Sequence, residues 1–176
     1  MLRTIPRHEE KALGLPYPVV LIDCVQEEID DVTGEPANVT FQDMEGLVAT
    51  LAAAVCHFPV QLLGAEVRFI RRVLGFKANT FAESLMMDPA TYSRWENGKQ
   101  QVGAWADKQV RLAAALLLSE RMPHARIDRK AIFALKPTLR LEGTYPHIEL
   151  RRIAIAVDGQ EDAPAVDGEW DYKLAA

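Results

Sequence analysis

The stretch from Thr80 to Gly98, TFAESLMMDPATYSRWENG, constrains the fold more than any other part of this chain. Its first part repeats apolar residues at the spacing of one helix face, and these are Phe81, Ala82 and Leu85. Asp88 then supplies an oxygen that can cap free backbone N–H groups, and Pro89 follows where its missing N–H costs nothing. Because Gly98 favours a helix end, the stretch predicts two short helices joined by a tight turn.

The second of these helices is expected to have one buried side and one exposed side. Tyr92 and Trp95 are three residues apart, so both should face the core. The opposite side carries small or polar side chains and one long, positively charged side chain. Its residues are Ala90, Thr91, Ser93 and Arg94.

This pair of helices resembles the helix-turn-helix of the Xre/lambda-repressor-like family. Residues 93–98, SRWENG, are identical to the most specific string of that family, and the likeness extends over residues 64–98 and into the following helix. A narrower likeness links the chain to the C-terminal part of MqsA-type antitoxins and their regulator relatives. It rests on residues 43–47 (DMEGL) and 64–69 (GAEVRF), whereas the paired CxxC zinc motifs of MqsA have no counterpart in this sequence.

The resemblance implies a mainly α fold, namely a lambda-repressor-like helix-turn-helix bundle with a small N-terminal region that contains a β-hairpin. It also implies a sequence-specific DNA-binding transcriptional regulator that inserts the 89–97 helix into the major groove of double-stranded DNA. One helix reads only a few base pairs, so useful affinity requires a two-fold dimer with its two recognition helices about 34 Å apart. A homodimer is therefore expected.

Residues at the start of the recognition helix would face base edges if the family's roles are carried over by position. They are Asp88, Pro89, Ala90 and Arg94. Of these, only Arg94 can form the two parallel hydrogen bonds that identify guanine, while Pro89 and Ala90 could touch a thymine methyl. The alternative for Arg94 is an ion pair within the chain, to Glu96 or another nearby carboxylate.

Other positions of the motif would contact DNA at the edge of the site. Thr91 and Ser93 would hydrogen-bond phosphate or base at the rim of the groove. Lys77, Asn97 and Lys99 stand where the family contacts the DNA backbone, a contact that positions the protein without reading sequence.

Two positions depart from the family's pattern. Ala78 stands where the family usually has a Gln that binds backbone phosphate, and Met86 stands where the turn usually has Gly. With Met at that corner, a left-handed backbone would cost about 1 kcal/mol, or the turn would take a slightly different geometry. The departures leave open a second interpretation, in which the helix-turn-helix is a scaffold that has lost DNA binding.

The net charge of −5 is unevenly distributed along the chain. Residues 1–61 carry −7, residues 62–121 carry +3 and residues 122–176 carry −1. Because physiological salt screens charges beyond about 8 Å, a basic face on the middle part can bind phosphate despite acidic flanks. Net acidity therefore does not argue against DNA binding.

The sequence predicts three parts. Residues 1–60 would hold a poorly ordered arm over residues 1–15, a β-hairpin and a helix that Asp43 caps, and would serve dimerisation or partner binding. Residues 61–121 would form the helix-turn-helix DNA-binding domain. Residues 122–176 would form a C-terminal extension with a flexible acidic tail.

Apolar spacing predicts further elements around the central motif. A hairpin is expected over residues 17–41, and the helix over residues 44–57 should bury Leu47, Val48, Leu51, Ala54 and Val55. In the helix that begins at Gly64, the core residues are expected to be Val67, Ile70 and Leu74, and the outward residues Arg68, Arg71 and Arg72.

The C-terminal half is less regular. A helix over residues 103–119 should bury some apolar side chains within the protomer or across a dimer, and these are Trp105, Val110, Ala113, Leu116 and Leu117. A short helix over residues 126–135, capped by Asp128, should turn Ile132, Phe133 and Leu135 inward. Residues 147–157 read as a strand with Ile153, Ile155 and Val157 on one face, or as a helix if periodicity alone decides.

Composition favours a cytoplasmic protein with no membrane contact, no cofactor and no enzymatic activity. No apolar run approaches the roughly 18–20 residues of a membrane span. Cys24 and Cys56 are too few for a disulfide framework or a four-cysteine zinc site, so both are expected to be buried and reduced. The four histidines lack the spacing of a metal site, and no nucleophile or phosphate-binding motif is found.

A protein-binding function is the alternative to a stand-alone regulator. The acidic N-terminal part could hold a basic partner such as a toxin, while the helix-turn-helix regulates its own transcription. That arrangement would be typical of an antitoxin.

Overall fold

The computed structural model describes residues 1–122, 125–154 and 168–175, and in those ranges a five-stranded mixed sheet is combined with six helices. The chain is therefore an α/β protein, and the expectation of a mainly α bundle with a small hairpin region is wrong. The difference arises because the two ends of the chain, predicted to be an arm and a tail, are strands of the sheet.

Three strands come first along the chain, followed by six helices and then by two more strands. The strands are β1 (Leu2–Glu10), β2 (Val19–Ile29), β3 (Pro36–Phe41), β4 (His147–Ala154) and β5 (Gly168–Ala175). The helices are α1 (Met44–His57), α2 (Gly64–Val73), α3 (Ala78–Ser84), α4 (Pro89–Glu96), α5 (Ala104–Arg121) and α6 (Arg129–Ala134). Within the described ranges, none of these helices has the length and apolar character needed to cross a membrane.

Strand β2 is the centre of the sheet. β1 pairs antiparallel with it along one edge. Its other edge is shared, since residues 20–22 pair parallel with β4 while residues 25–29 pair antiparallel with β3. β4 in turn pairs antiparallel with β5 along its whole length. The sheet thus joins the two ends of the chain.

A β-bulge marks the point where β2 changes partners. Asp23 has a φ of 51°, in the left-handed region, and the register with β1 shifts opposite it, between Ile5 and Arg7. Pro6 lies at this shift, and it has no N–H to donate to the ladder. Because an extra residue bends and twists a strand, the bulge lets β2 leave β4 and continue beside β3.

Both chain ends correct the sequence-based expectation. The N-terminal arm was expected to be poorly ordered, but residues 2–10 form β1, and the predicted flexible tail contributes β5 over residues 168–175. Val19, Val20 and Leu21 are consecutive and all buried, so β2 is covered on both faces and needs partner strands on both edges. The rest of the predicted tail, residues 158–167, lies outside the described residues.

Two strand predictions are confirmed. The hairpin forms from β2 and β3, and the segment that begins at His147 is a strand rather than a helix. That strand is described as far as Ala154, so the predicted positions of Ile155 and Val157 lie outside the described residues.

Helix α1 lies between the sheet and the other helices. It contacts β4 and β5 on one side and α2, α5 and α6 on the other. Asp43 caps it as predicted, with Oδ1 accepting a hydrogen bond from the Gly46 N–H at 2.9 Å. Every residue from Ala49 to Cys56 is buried, because a helix that is apolar on all sides can be covered on all sides. The predicted stripe is therefore only part of its buried surface.

Helix α5 buries a different set of residues from the one predicted. Val110 is buried, but Trp105 is 62% exposed and Leu116 is 52% exposed, so these two are not core residues of the protomer. In α6, Ile132 is buried as expected, whereas Phe133 is 72% exposed. Three large apolar side chains thus remain on the surface formed by α5 and α6.

A buried ion pair within α5 holds the Arg111 side chain at the end of α1. Arg111 donates from Nε to Asp107 Oδ1 at 2.7 Å, and neither side chain is exposed to solvent. Arg111 Nη1 also donates to the carbonyls of Cys56 at 2.5 Å and Phe58 at 2.9 Å. These bonds satisfy carbonyl groups at the end of α1 that have no partner within the helix. Arg111, held by Asp107, therefore fixes α5 against the end of α1.

Candidate nucleic-acid interface

The burial predicted for the core of the helix-turn-helix is confirmed except at Leu85, which is half-buried. Phe81 and Ala82 of α3 are buried, as are Tyr92 and Trp95 of α4. The Phe81 and Tyr92 rings meet edge to face with centroids 5.9 Å apart, and the Tyr92 and Trp95 rings do so at 6.1 Å. Such aromatic pairs add to the stability that burial provides, so the two aromatic residues of α4 are structural and its other side is free.

The turn between α3 and α4 keeps a left-handed corner at Met86. Met86 adopts a φ of 56°, which is the left-handed conformation that the family's usual Gly would take without strain. The Met86 side chain is 92% exposed and so gains little from packing. Asp88 then caps α4, its Oδ2 accepting a hydrogen bond from the Thr91 N–H at 2.8 Å. The turn is formed despite the replacement of Gly by Met.

A buried ion pair holds α4 against α2. Arg71 donates from Nε to Glu96 Oε1 at 2.7 Å and from Nη2 to Glu96 Oε2 at 3.0 Å. This two-bond arrangement is the stronger form of an arginine–carboxylate pair. The prediction that Arg71 points outward is wrong, since its side chain is buried. Its partner lies 25 residues away in the sequence, so the spacing within α2 gives no sign of the contact. Glu96 is therefore not the partner of Arg94.

The packing of α2 on α4 also depends on the absence of a side chain at Gly64. A Cβ built there would lie 1.6 Å from the Trp95 carbonyl oxygen, far inside van der Waals contact. The first turn of α2 can approach the end of α4 only with glycine at this position. This explains the first residue of the GAEVRF segment.

Glu66, the third residue of that segment, ties α2 to both ends of the chain. Its buried carboxylate accepts hydrogen bonds from the Tyr17 hydroxyl at 2.7 Å and from the Leu63 N–H at 2.7 Å. Arg140 Nη2 donates to both of its oxygens, at 3.0 and 2.8 Å. Burial raises the pKa of Glu66, and the Arg140 guanidinium opposes that rise. Glu66 thereby attaches α2 to Tyr17 in the loop before β2 and to Arg140 in the segment before β4.

Asn97 is engaged in contacts within the chain. Its Nδ2 donates to the Ser93 carbonyl at 2.8 Å, and its Oδ1 accepts from Arg68 Nη2 at 2.9 Å. Arg68 Nη2 also donates to the Glu96 carbonyl. These bonds close the end of α4, so the Asn97 side chain serves the shape of the helix end rather than an open contact site.

Arg94 is exposed, and its guanidinium is held by two side chains. Nε donates to Gln100 Oε1 at 3.2 Å, and Nη2 donates to Thr91 Oγ1 at 2.7 Å. The Thr91 hydroxyl donates in turn to Asp88 Oδ2 at 2.8 Å. The bonds from the Thr91 side chain and backbone hold the pKa of Asp88 below its usual value. Arg94 forms no ion pair with any carboxylate in the described ranges.

All eight residues predicted to contact DNA lie at the surface. Six are exposed and two are half-buried, the latter being Pro89 and Thr91; the exposed ones are Lys77, Ala90, Ser93, Arg94, Asn97 and Lys99. Lys77 and Lys99 form no ion pair with a described residue, and neither does Arg72, which is also exposed on α2. The surface around α4 therefore carries free cations.

The partners of two residues on this surface were not predicted from the sequence. Gln100 holds Arg94 from the loop after α4, and Arg68, which was predicted to point outward from α2, closes the end of α4. Each of these bonds joins residues of different elements, so helical periodicity does not identify it. Gln100 follows Gly98 by two residues, and that proximity to a helix end is the one local hint.

The cysteines lie away from this surface and are both buried with free thiols, as expected. Burial raises the pKa of Cys24 to about 11 and that of Cys56 to about 12. No cluster of three or more potential metal ligands occurs among residues 1–122, 125–154 and 168–175.

Comparison of the chain with protein-family models, with curated proteins and with solved structures gave no match.

Proposed function

We propose that this chain is a sequence-specific DNA-binding transcription regulator that inserts α4 into the major groove. The observation that carries the proposal is the exposed Arg94, held in place on a helix whose other side is buried. An arginine in this position can donate two parallel hydrogen bonds to O6 and N7 of guanine. Ala90 and Pro89 beside it are small enough to contact a thymine methyl group.

Phosphate contacts would come from the free cations around α4. Lys77 at the start of α3 and Lys99 after α4 flank the recognition helix. Such contacts set the register of the protein on the duplex without reading sequence. Asn97 would support them indirectly, since its side chain is used to close α4.

A homodimer is part of the proposal, because one helix reads too few base pairs for useful affinity. The apolar side chains on α5 and α6 support it, since large exposed apolar groups favour association. Those groups are Trp105, Leu116 and Phe133. Sedimentation velocity of the full chain should give twice the mass of one protomer at micromolar concentration.

The decisive experiment measures binding to DNA from upstream of the protein's own gene, with a duplex of random sequence for comparison. Between 50 and 200 mM salt, affinity should fall by at least about 100-fold if several phosphates are contacted. The Arg94→Ala variant should lose the preference for the specific duplex and keep the weak, salt-dependent binding to random DNA. Arg129→Ala, an exposed arginine on α6, is the matched control and should retain both properties.

The proposal fails if the wild-type chain binds the upstream fragment no better than random DNA at low salt. The helix-turn-helix would then be a scaffold, in line with the departures at Ala78 and Met86. Equal loss of specific binding in Arg94→Ala and Arg129→Ala would also contradict the assigned readout.

A second candidate function is capture of a basic protein partner, as in an antitoxin. It is favoured by the exposed acidic turn that joins β2 to β3. This turn carries Asp30, Asp31 and Glu35, and Glu28 precedes it on β2. Co-expression with the product of an adjacent small basic reading frame, followed by purification at high salt, would test whether a stable complex forms.

A further inference from the structure

The chain folds back on itself directly after α4. Gly98 has a φ of 67°, and its N–H donates to the Trp95 carbonyl at 2.9 Å. The Lys99 N–H donates to the Arg94 carbonyl, also at 2.9 Å. These two bonds form a Schellman motif, the common left-handed ending of a helix. The reversal carries Gln100 back along α4 to the side chain of Arg94.

Gln100 and Thr91 hold the Arg94 guanidinium from two directions. Gln100 Oε1 accepts from Nε, and Thr91 Oγ1 accepts from Nη2. Because the Thr91 hydroxyl proton is directed to Asp88, its lone pairs are available to Arg94. A guanidinium has five N–H donors, so three remain after these two bonds. Nη1 makes no hydrogen bond to any described residue.

From this geometry we infer that Gln100 is a positioning residue for base readout, although it lies outside the recognition helix. The inference rests on the proposed DNA-binding function. Gln100 and Thr91 orient the guanidinium before DNA arrives and leave the Nη1 group and the second N–H of Nη2 for a guanine. Preorganisation of this kind improves binding because fewer rotamers must be given up on association.

The chemistry of the site also explains why a glutamine suits this position. The carboxamide oxygen accepts from Nε without neutralising the positive charge that attracts DNA. A carboxylate would hold Arg94 as well but would repel the phosphate backbone. A side chain without an acceptor would leave Nε free and the guanidinium able to rotate.

The test begins with duplexes selected by the wild-type protein from a randomised pool. The guanine read by Arg94 is the one whose preference disappears in the Arg94→Ala variant. That guanine is then replaced by 7-deazaguanine, which lacks the N7 acceptor and still pairs with cytosine. For the wild type, the replacement should weaken binding by about 10-fold, within the range of a bidentate contact.

In Gln100→Ala the same replacement should weaken binding by only about 2-fold, because a loosely held guanidinium discriminates less. Gln100→Glu keeps the acceptor, so it should retain the discrimination while binding all duplexes more weakly. Gln101→Ala is the matched control in the same loop and should behave as the wild type does. Affinity for random duplexes should be unchanged in Gln100→Ala.

An undiminished 10-fold effect in Gln100→Ala would overturn the inference while leaving the proposed function intact. Equal losses in Gln100→Ala and Gln101→Ala would also overturn it, because the loop would then matter only as a whole. If the wild-type protein selects no sequence from the pool, the proposed function itself fails.

Discussion

Replacement of Arg140 by methionine should make the burial of Glu66 measurable as a pH-dependent loss of stability. Arg140 Nη2 contacts both Glu66 oxygens, and the two side chains are almost fully buried. The Arg140 guanidinium also lies 5.5 Å from the centre of the Phe58 ring. Methionine keeps an apolar chain against that ring but removes the charge and the hydrogen bonds of the guanidinium, so the pH-dependent part of the loss reports the electrostatic contribution.

The expected loss follows from proton binding. Without Arg140, the pKa of Glu66 in the folded chain rises well above its ordinary value of 4.5, because burial is no longer opposed by a neighbouring positive charge. Above pH 4.5 the folded variant then holds a proton that the unfolded chain releases. The free energy of unfolding therefore falls by about 1.4 kcal/mol for each pH unit, until the pH reaches the pKa of the folded state.

Proton binding therefore accounts for about 1.4 kcal/mol for each pH unit by which the folded-state pKa of Glu66 exceeds its ordinary value, up to about 3 kcal/mol at pH 7. Arg140 also donates to the carbonyls of Gln61 at 2.8 Å and Thr144 at 3.0 Å. Loss of these bonds adds about 1–2 kcal/mol. The sum agrees with the roughly 3–5 kcal/mol that breaking a buried ion pair costs.

Urea unfolding followed by circular dichroism at pH 5, 6 and 7 would measure the effect. The control is the double variant Arg140→Met with Glu66→Gln, which lacks the titrating group and shares every other ionisation. Between pH 5 and pH 7 the single variant should lose stability relative to the double variant at about 1.4 kcal/mol for each pH unit below the folded-state pKa, up to about 3 kcal/mol in total. Parallel pH profiles for the two variants would refute the reasoning, because Glu66 would then not be the group that burial controls.

Two further substitutions test the packing of the helix-turn-helix. Met86→Gly should raise the free energy of unfolding by about 0.5–1 kcal/mol, since the left-handed φ of 56° costs glycine nothing. The control Met86→Ala should give no such gain. An equal gain from both variants in chemical denaturation would show that the backbone conformation is not the cause. Gly64→Ala should lower the free energy of unfolding by about 3 kcal/mol or more, because its Cβ would collide with the Trp95 carbonyl. In the control Gly103→Ala the added Cβ meets open space, so the free energy of unfolding should change by less than about 0.5 kcal/mol. A loss below about 0.5 kcal/mol in Gly64→Ala would contradict the steric argument.

The helices of the central motif could be predicted because their signals are local. Asp88 and Pro89 start α4, and Gly98 ends it, all within one short stretch. The buried pair Tyr92 and Trp95 follows from a spacing of three residues. The left-handed corner at Met86 was one of two outcomes that the resemblance allowed, the other being a shifted turn, and the structure shows the former.

The strands at the two ends of the chain could not be predicted in the same way. The segment before Glu10 is charged, and the segment after residue 167 is short and acidic, so neither has a strong strand pattern. The second segment alternates only three apolar residues, Trp170, Tyr172 and Leu174, and so short a pattern does not by itself distinguish a strand from a loop. Both segments become strands because β2 and β4 offer free edges, and edge pairing depends on residues far apart in sequence.

Sequence alone therefore determined the helix-turn-helix and the side of α4 that is exposed, since periodicity and capping act within a few residues. Only the tertiary structure decided what holds that motif in place. Arg71 reaches Glu96 across 25 residues, and Arg140 reaches Glu66 across 74. A charged residue on a helix looks the same in sequence whether it meets water or a distant carboxylate, so its partner is known only when the chain is folded.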